Sequence, residues 1–133
     1  MNMPIPEGIE LEGSYVLAIS ILPYEVHMKM DFLLNQESSL YVPPISTERG
    51  CYRRGEISIR KFSSLHWDAT GTPPAFDALG ESDYGCLDSL IKTEEGFELY
   101  GDWGAIRVND GEFSIKFDDE RGIKSRLWTT NFR

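Results

Sequence analysis

Between Gly85 and Phe117 apolar residues recur at every second position, in short runs broken by turn chemistry. Phe97 and Leu99, Ile106 and Val108, and Phe113, Ile115 and Phe117 each line one face of a strand. The runs are separated by Glu94-Glu95-Gly96, Gly101-Asp102-Trp103-Gly104 and Asn109-Asp110-Gly111. The third is close to the Asn-Gly and Asp-Gly hairpin signal, because its residues tolerate the positive φ of a tight turn. This stretch predicts a four-stranded antiparallel meander, with Gly104 at positive φ.

The chain upstream continues the theme. Ser14 to Leu34 reads as a hairpin, with Pro23 in its turn because proline cannot donate to a ladder. Val26, Met28, Met30, Phe32 and Leu34 alternate onto one face, and helical spacing fits worse. In the first half, Tyr15, Leu17, Ile19 and Ile21 share a face, with Val16, Ala18 and Ser20 on the other. Residues 35–50 form a loop that Pro43-Pro44 keeps extended, with Leu40, Tyr41 and Val42 available to pin it. Cys51–Phe62 is a strand in which Gly55 marks a bulge or a close backbone approach, and Ser64–Asp68 is a further short strand. Residues 69–84 are a second long connection, of a length that suits a lid or a functional loop. Residues 1–13 form a lead-in. The tail, 118–133, carries Ile123, Leu127 and Trp128 for docking on the body as a short helix. The whole is one domain, all-β, either an antiparallel β-sandwich or a partly closed barrel of about eight short strands.

Charge narrows the function. A net charge of -9 argues against binding nucleic acid, which requires Lys and Arg on phosphates, and against an anionic membrane. It permits a basic protein partner, and an acidic surface that simply keeps the protein in solution accounts for it equally. The N-terminus lacks a basic region followed by an apolar one, and no run approaches the length of a membrane span, so a cytoplasmic protein is expected. Cys51 and Cys86 form no C-x-x-C and read by default as ordinary thiols, with a disulfide between them left open by the sequence.

Motifs for chemistry are sparse. No phosphate-binding glycine loop or nucleophile elbow is present. His27, His66, Cys51 and Cys86 lack zinc-ligand spacing, and Asp77, Glu81, Asp83 and Asp88 do not supply a calcium loop. No metal or cofactor is expected. His66 and Asp68 share a strand face, so the carboxylate could orient the imidazole of a hydrolase, although no nucleophile is identifiable. The most distinctive feature is a pair of aromatic and acidic turns, Ser82-Asp83-Tyr84-Gly85 and Gly101-Asp102-Trp103-Gly104. Aromatic side chains beside carboxylates suit a protein interface, which makes Asp83, Tyr84, Asp102 and Trp103 the candidate binding residues. The competing reading makes these turns structural corners, with Trp103 closing one end of the core.

Leu11-Glu-Gly-Ser-Tyr-Val-Leu, the Pro43-Pro44 loop, Cys51-Tyr-Arg-Arg-Gly-Glu-Ile-Ser-Ile, Asp83-Tyr-Gly-Cys-Leu-Asp-Ser and Leu99-Tyr-Gly-Asp-Trp-Gly-Ala-Ile-Arg-Val follow in that order. Together they resemble a group of small bacterial β-rich proteins of unknown function. The strand layout also resembles, more distantly, β-rich immunity proteins that neutralise bacterial toxins. The resemblance implies no catalytic residues. The expected function is therefore a non-enzymatic binding protein, an immunity-type or other protein-interaction module. The alternatives are a small-ligand-binding β-barrel lidded by 69–84 and, last, a hydrolase.

Overall fold

Residues 5–46, 50–69, 75–76 and 82–118 are described by the structure, a computed structural model. In chain order the strands are β1 (Ile9–Leu22), β2 (Glu25–Leu34), β3 (Cys51–Asp68), β4 (Ala75–Phe76), β5 (Ser82–Asp83), β6 (Leu87–Lys92), β7 (Gly96–Gly101) and β8 (Gly104–Phe117). Six of them close into a barrel in the order β1-β2-β3-β8-β7-β6, while β4 and β5 pair with each other. The all-β expectation holds, and the sheet closes on itself instead of stacking as a sandwich.

Side chains from every barrel strand meet in one interior cluster. The predicted face of β2 points inward in full: Val26, Met28, Met30, Phe32 and Leu34 are each at most 3% exposed. Ile57 and Ile59 of β3, Leu87 of β6, Leu99 of β7 and Ile106 of β8 complete the centre. Each such side chain contributes about 1.5–3 kcal/mol relative to leaving it in water. Gly55 belongs to the close-approach case, since a Cβ there would stand 2.8 Å from the Phe32 ring.

The two-residue turn at Pro23-Tyr24 joins β1 to β2, and the turns at Glu94-Glu95 and Asp102-Trp103 join β6 to β7 and β7 to β8. Three expectations need correction. Asn109-Asp110-Gly111 is not a hairpin: β8 runs through it unbroken, so the meander has three strands. Asp110 (φ 64) and Gly111 (φ 113) do take the positive φ that their chemistry allows, but they bend a strand instead of reversing it. Ser64–Asp68 is not a separate strand but the second half of β3, beyond a register shift between Phe62 and Ser64. In β1, shifts between Glu10 and Tyr15 and between Val16 and Ala18 change the strand's phase, so Val16 is fully buried and Ile21 is exposed.

The outer face of β2, β3 and β8 fixes their register by charge. Glu25, Arg60 and Glu112 lie in one row, Lys29, Glu56 and Lys116 in another, with His27, Ser58 and Ser114 between them. A third row begins with Asp31 and Arg54, both buried, with Arg54 Nε donating to Asp31 Oδ1 at 3.2 Å. Opposite charges across strands contribute about 0.2–1 kcal/mol per pair and like charges oppose pairing, so a slipped register is penalised. Closure between β1 and β6 is much shorter. Glu12 pairs with Leu87, Tyr15 bridges Cys86, and Val16 N–H donates to the Gly85 carbonyl at 2.9 Å.

No disulfide joins Cys51 and Cys86. Among the described residues no helix is long and apolar enough to cross a membrane. Ile123, Leu127 and Trp128, and most of the 69–84 connection, lie outside the described residues.

The β7–β8 turn gives a direct test. Gly104 has φ 117, and a Cβ there would run into the Asp68 carbonyl oxygen. Gly104→Val is expected to cost about 2 kcal/mol or more in urea denaturation, because only glycine occupies this backbone region without strain.

Candidate binding groove

Beyond the bend, the outward positions of β3, β8 and β7 come into register. His66 of β3 stands opposite Arg107 of β8, and Arg107 stands opposite Glu98 of β7. These three strands and the β6–β7 turn enclose a surface recess of about 460 Å³. Ser64, His66, Glu98, Arg107 and Asn109 supply its polar lining, and Thr93 and Glu95 form its rim. Thr93 is held in place by its own turn: its Oγ1 accepts from Gly96 N–H at 2.9 Å, and its N–H donates to the Gly96 carbonyl at 2.8 Å.

The ionic partners across this recess are arranged unevenly. Glu98 is the natural partner of Arg107, but its Oε1 accepts the Tyr100 hydroxyl at 2.6 Å instead. That hydrogen bond, then burial, then the Glu98 charge hold the Tyr100 phenol above its ordinary range, with Arg107 acting in the opposite sense. Arg107 is exposed and makes no hydrogen bond or ion pair with a described residue. The same is true of His66. Two hydrogen-bonding groups on neighbouring strands are thus left facing the recess.

A second polar cluster lies on the outer face of β2 and β3. His27 Nδ1 is 2.9 Å from Ser58 Oγ, and Nε2 is 2.8 Å from Glu25 Oε1. The order Ser–His–carboxylate resembles a nucleophilic relay. Ser58, however, is only 2% exposed in the middle of the sheet, and its hydroxyl lies 3.1 Å from Glu56 Oε1. A substrate carbonyl has no route to it, so the cluster holds the two strands together.

The candidate residues read from sequence fall at the other end of β7. Trp103 is 3% exposed and belongs to the core, which corrects its place among the binding residues and agrees with the structural-corner reading: the two-residue turn folds the indole back over Gly101. Asp102 is exposed, and its carboxylate lies against Gly85, where Oδ2 accepts weakly from Cys86 N–H at 3.4 Å. Tyr84 is half-buried against the core and donates its N–H to the Val16 carbonyl at 2.9 Å. The structure therefore brings Tyr84 and Asp102 to one corner. Asp83 pairs with Ala75 through the backbone, and its side chain lies outside the description, as do Asp77 and Glu81. Among the described residues no group of three or more His, Cys, Asp or Glu gathers as metal ligands.

His66 and Asp68 do share the outward face, as expected, but no hydrogen bond joins them. Sequence reading missed Glu98, Tyr100 and Arg107. The signal for Glu98 and Arg107 was present, since a two-residue turn at Asp102-Trp103 sets them opposite each other by counting. The pairing of His66 with Arg107 spans about forty residues of chain and carries no local signal.

No family model matches the chain, and no curated protein or solved structure is significantly similar to it.

Two measurements check this description. Trp103→Ala is expected to lower stability by about 3–5 kcal/mol, as for a large aromatic lost from a core. A stability unchanged in urea would place the indole at the surface. In an absorbance titration of the six tyrosines, Tyr100 is expected to ionise late, and Glu98→Gln to bring it back toward the ordinary value. Because the folded-state value is raised, its stabilising contribution is present below about pH 10 and lost above it.

Proposed function

We propose that the chain is a non-enzymatic protein-binding module that meets its partner on the outer face of β3, β8 and β7. The observation that carries this reading is the recess of about 460 Å³ with Arg107 and His66 uncommitted, outside a barrel whose interior is occupied by its own side chains. Small-molecule sites bury most of their ligand in an apolar cavity, and a polar outer recess suits a protein surface better. The net charge of -9 supports a basic partner, drawn in by long-range attraction. An immunity-type role, covering a basic toxin surface, is one form of this reading and is supported by charge and strand layout. A reducing, cytoplasmic setting suits two cysteines that no disulfide joins.

A ligand-binding barrel receives less support, because Met28, Met30, Phe32 and Ile57 occupy the space a ligand would need. A hydrolase receives less again, since His66 lacks both an orienting carboxylate and a nucleophile within hydrogen-bond reach among the described residues.

Capture of partners from the source cell on immobilised wild type, Arg107→Glu and Glu37→Lys protein tests the proposal. A protein retained by wild type and by Glu37→Lys, but lost on Arg107→Glu, is the expected outcome. Equal retention by all three would remove the groove from the interface.

A further inference from the structure

The groove's chemistry narrows what part of a partner it receives. We propose that Arg107 and His66 form a recognition site for a carboxylate carried on a polypeptide segment, an Asp or Glu side chain with a basic residue beside it. This inference deepens the protein-binding reading and rests on it.

The Arg107 guanidinium presents its donors in a planar fork that matches a carboxylate, and it keeps its charge at any physiological pH. The cross-strand neighbour that would normally satisfy it, Glu98, is turned to Tyr100 by a 2.6 Å hydrogen bond. Arg107 consequently faces the recess with no described partner, and His66 stands beside it in direct register on β3. Both side chains line the recess from adjacent strands, within one row of the sheet. Asn109 and Ser64, paired with each other one row away, add neutral hydrogen-bonding capacity at the same floor.

The remaining charges decide between anions. Glu95 and Glu98 also line the recess, so two carboxylates stand against the one guanidinium of Arg107. A dianionic phosphate would meet net repulsion at short range. A singly charged carboxylate would not, provided a cation accompanies it. Glu95 makes no side-chain hydrogen bond or ion pair with a described residue, which leaves it available for that cation. A segment in which Asp or Glu adjoins Lys or Arg satisfies both ends, and it agrees with a basic partner overall.

Nuclear magnetic resonance with three probes tests the site. The titrants are acetyl-Lys-Asp-Lys-amide, the same peptide with Asn for Asp, and inorganic phosphate. The observed signals are the Arg107 Nε–Hε group and the His66 ring. The Asp peptide is expected to shift both in a saturable way and to bind about tenfold more tightly than the Asn peptide, as one charge-assisted contact implies. Phosphate is expected to leave both signals in place at the same concentration. Arg107→Gln, at an exposed position, is expected to keep the melting temperature and abolish the difference between the two peptides. Equal binding of the Asp and Asn peptides would overturn the inference, as would an unchanged preference in Arg107→Gln. Stronger shifts with phosphate would overturn it too. Any of these results, with partner capture still lost on Arg107→Glu, would leave the binding-module reading standing without its carboxylate.

Discussion

The structure depends on a bend shared by its two longest barrel strands. β3 and β8 pair along most of their length, and both depart from regular backbone at the same level. Lys61 takes φ 60 in β3, while Asp110 and Gly111 take φ 64 and φ 113 in β8. The consequence is a change of phase. Phe113, Ile115 and Phe117 contribute to the core from odd positions, and Ile106 and Val108 from even ones. A strand without an irregularity would place one of these sets in water, because side chains alternate strictly across a regular sheet. The bend satisfies both sets at once. It also divides the neighbours: β2 pairs with β3 up to Arg60, and β7 pairs with β8 up to Asn109.

The same change of phase positions the groove. Once Ile106 and Val108 face inward, Arg107 and Asn109 must face outward, and the shift in β3 sets His66 and Ser64 beside them. On one side of the bend the outer face is a set of rows in which opposite charges meet, from Glu25 and Arg60 to Asp31 and Arg54. On the other side complementarity is incomplete, because Tyr100 holds the carboxylate that Arg107 would otherwise use. A surface whose charges are mutually satisfied is stable and inert. The Arg107 side has groups left over for something else.

Much of the fold was legible in the sequence, and the failures share a cause. The period-two face of β2, the turn at Pro23, the turn at Asp102-Trp103 and the need for glycine at 104 are all local, and each appears where its residues placed it. Asn109-Asp110-Gly111 misled because positive φ serves a hairpin and a bent strand equally well, and the choice is made by the pairing of β8 with β3. Trp103 read two ways, as an interface residue and as a corner closing one end of the core, and the tight turn decides for the second by folding the indole onto the core. The groove is less legible still. Glu98 and Arg107 follow from counting through one hairpin, but His66 joins them only through a long-range pairing.

Cross-strand proton contacts in the labelled protein test the shared bend most directly. The bent-strand arrangement predicts nuclear Overhauser contacts between Phe113 and Ile59 and between Val108 and Leu65, the residues that face each other across β3 and β8. A hairpin at Asn109-Asp110-Gly111 would instead place Val108 against Phe113. Contacts of the first kind establish the phase change on which both core and groove depend. Contacts of the second kind would contradict the barrel and dissolve the row that His66, Arg107 and Glu98 form.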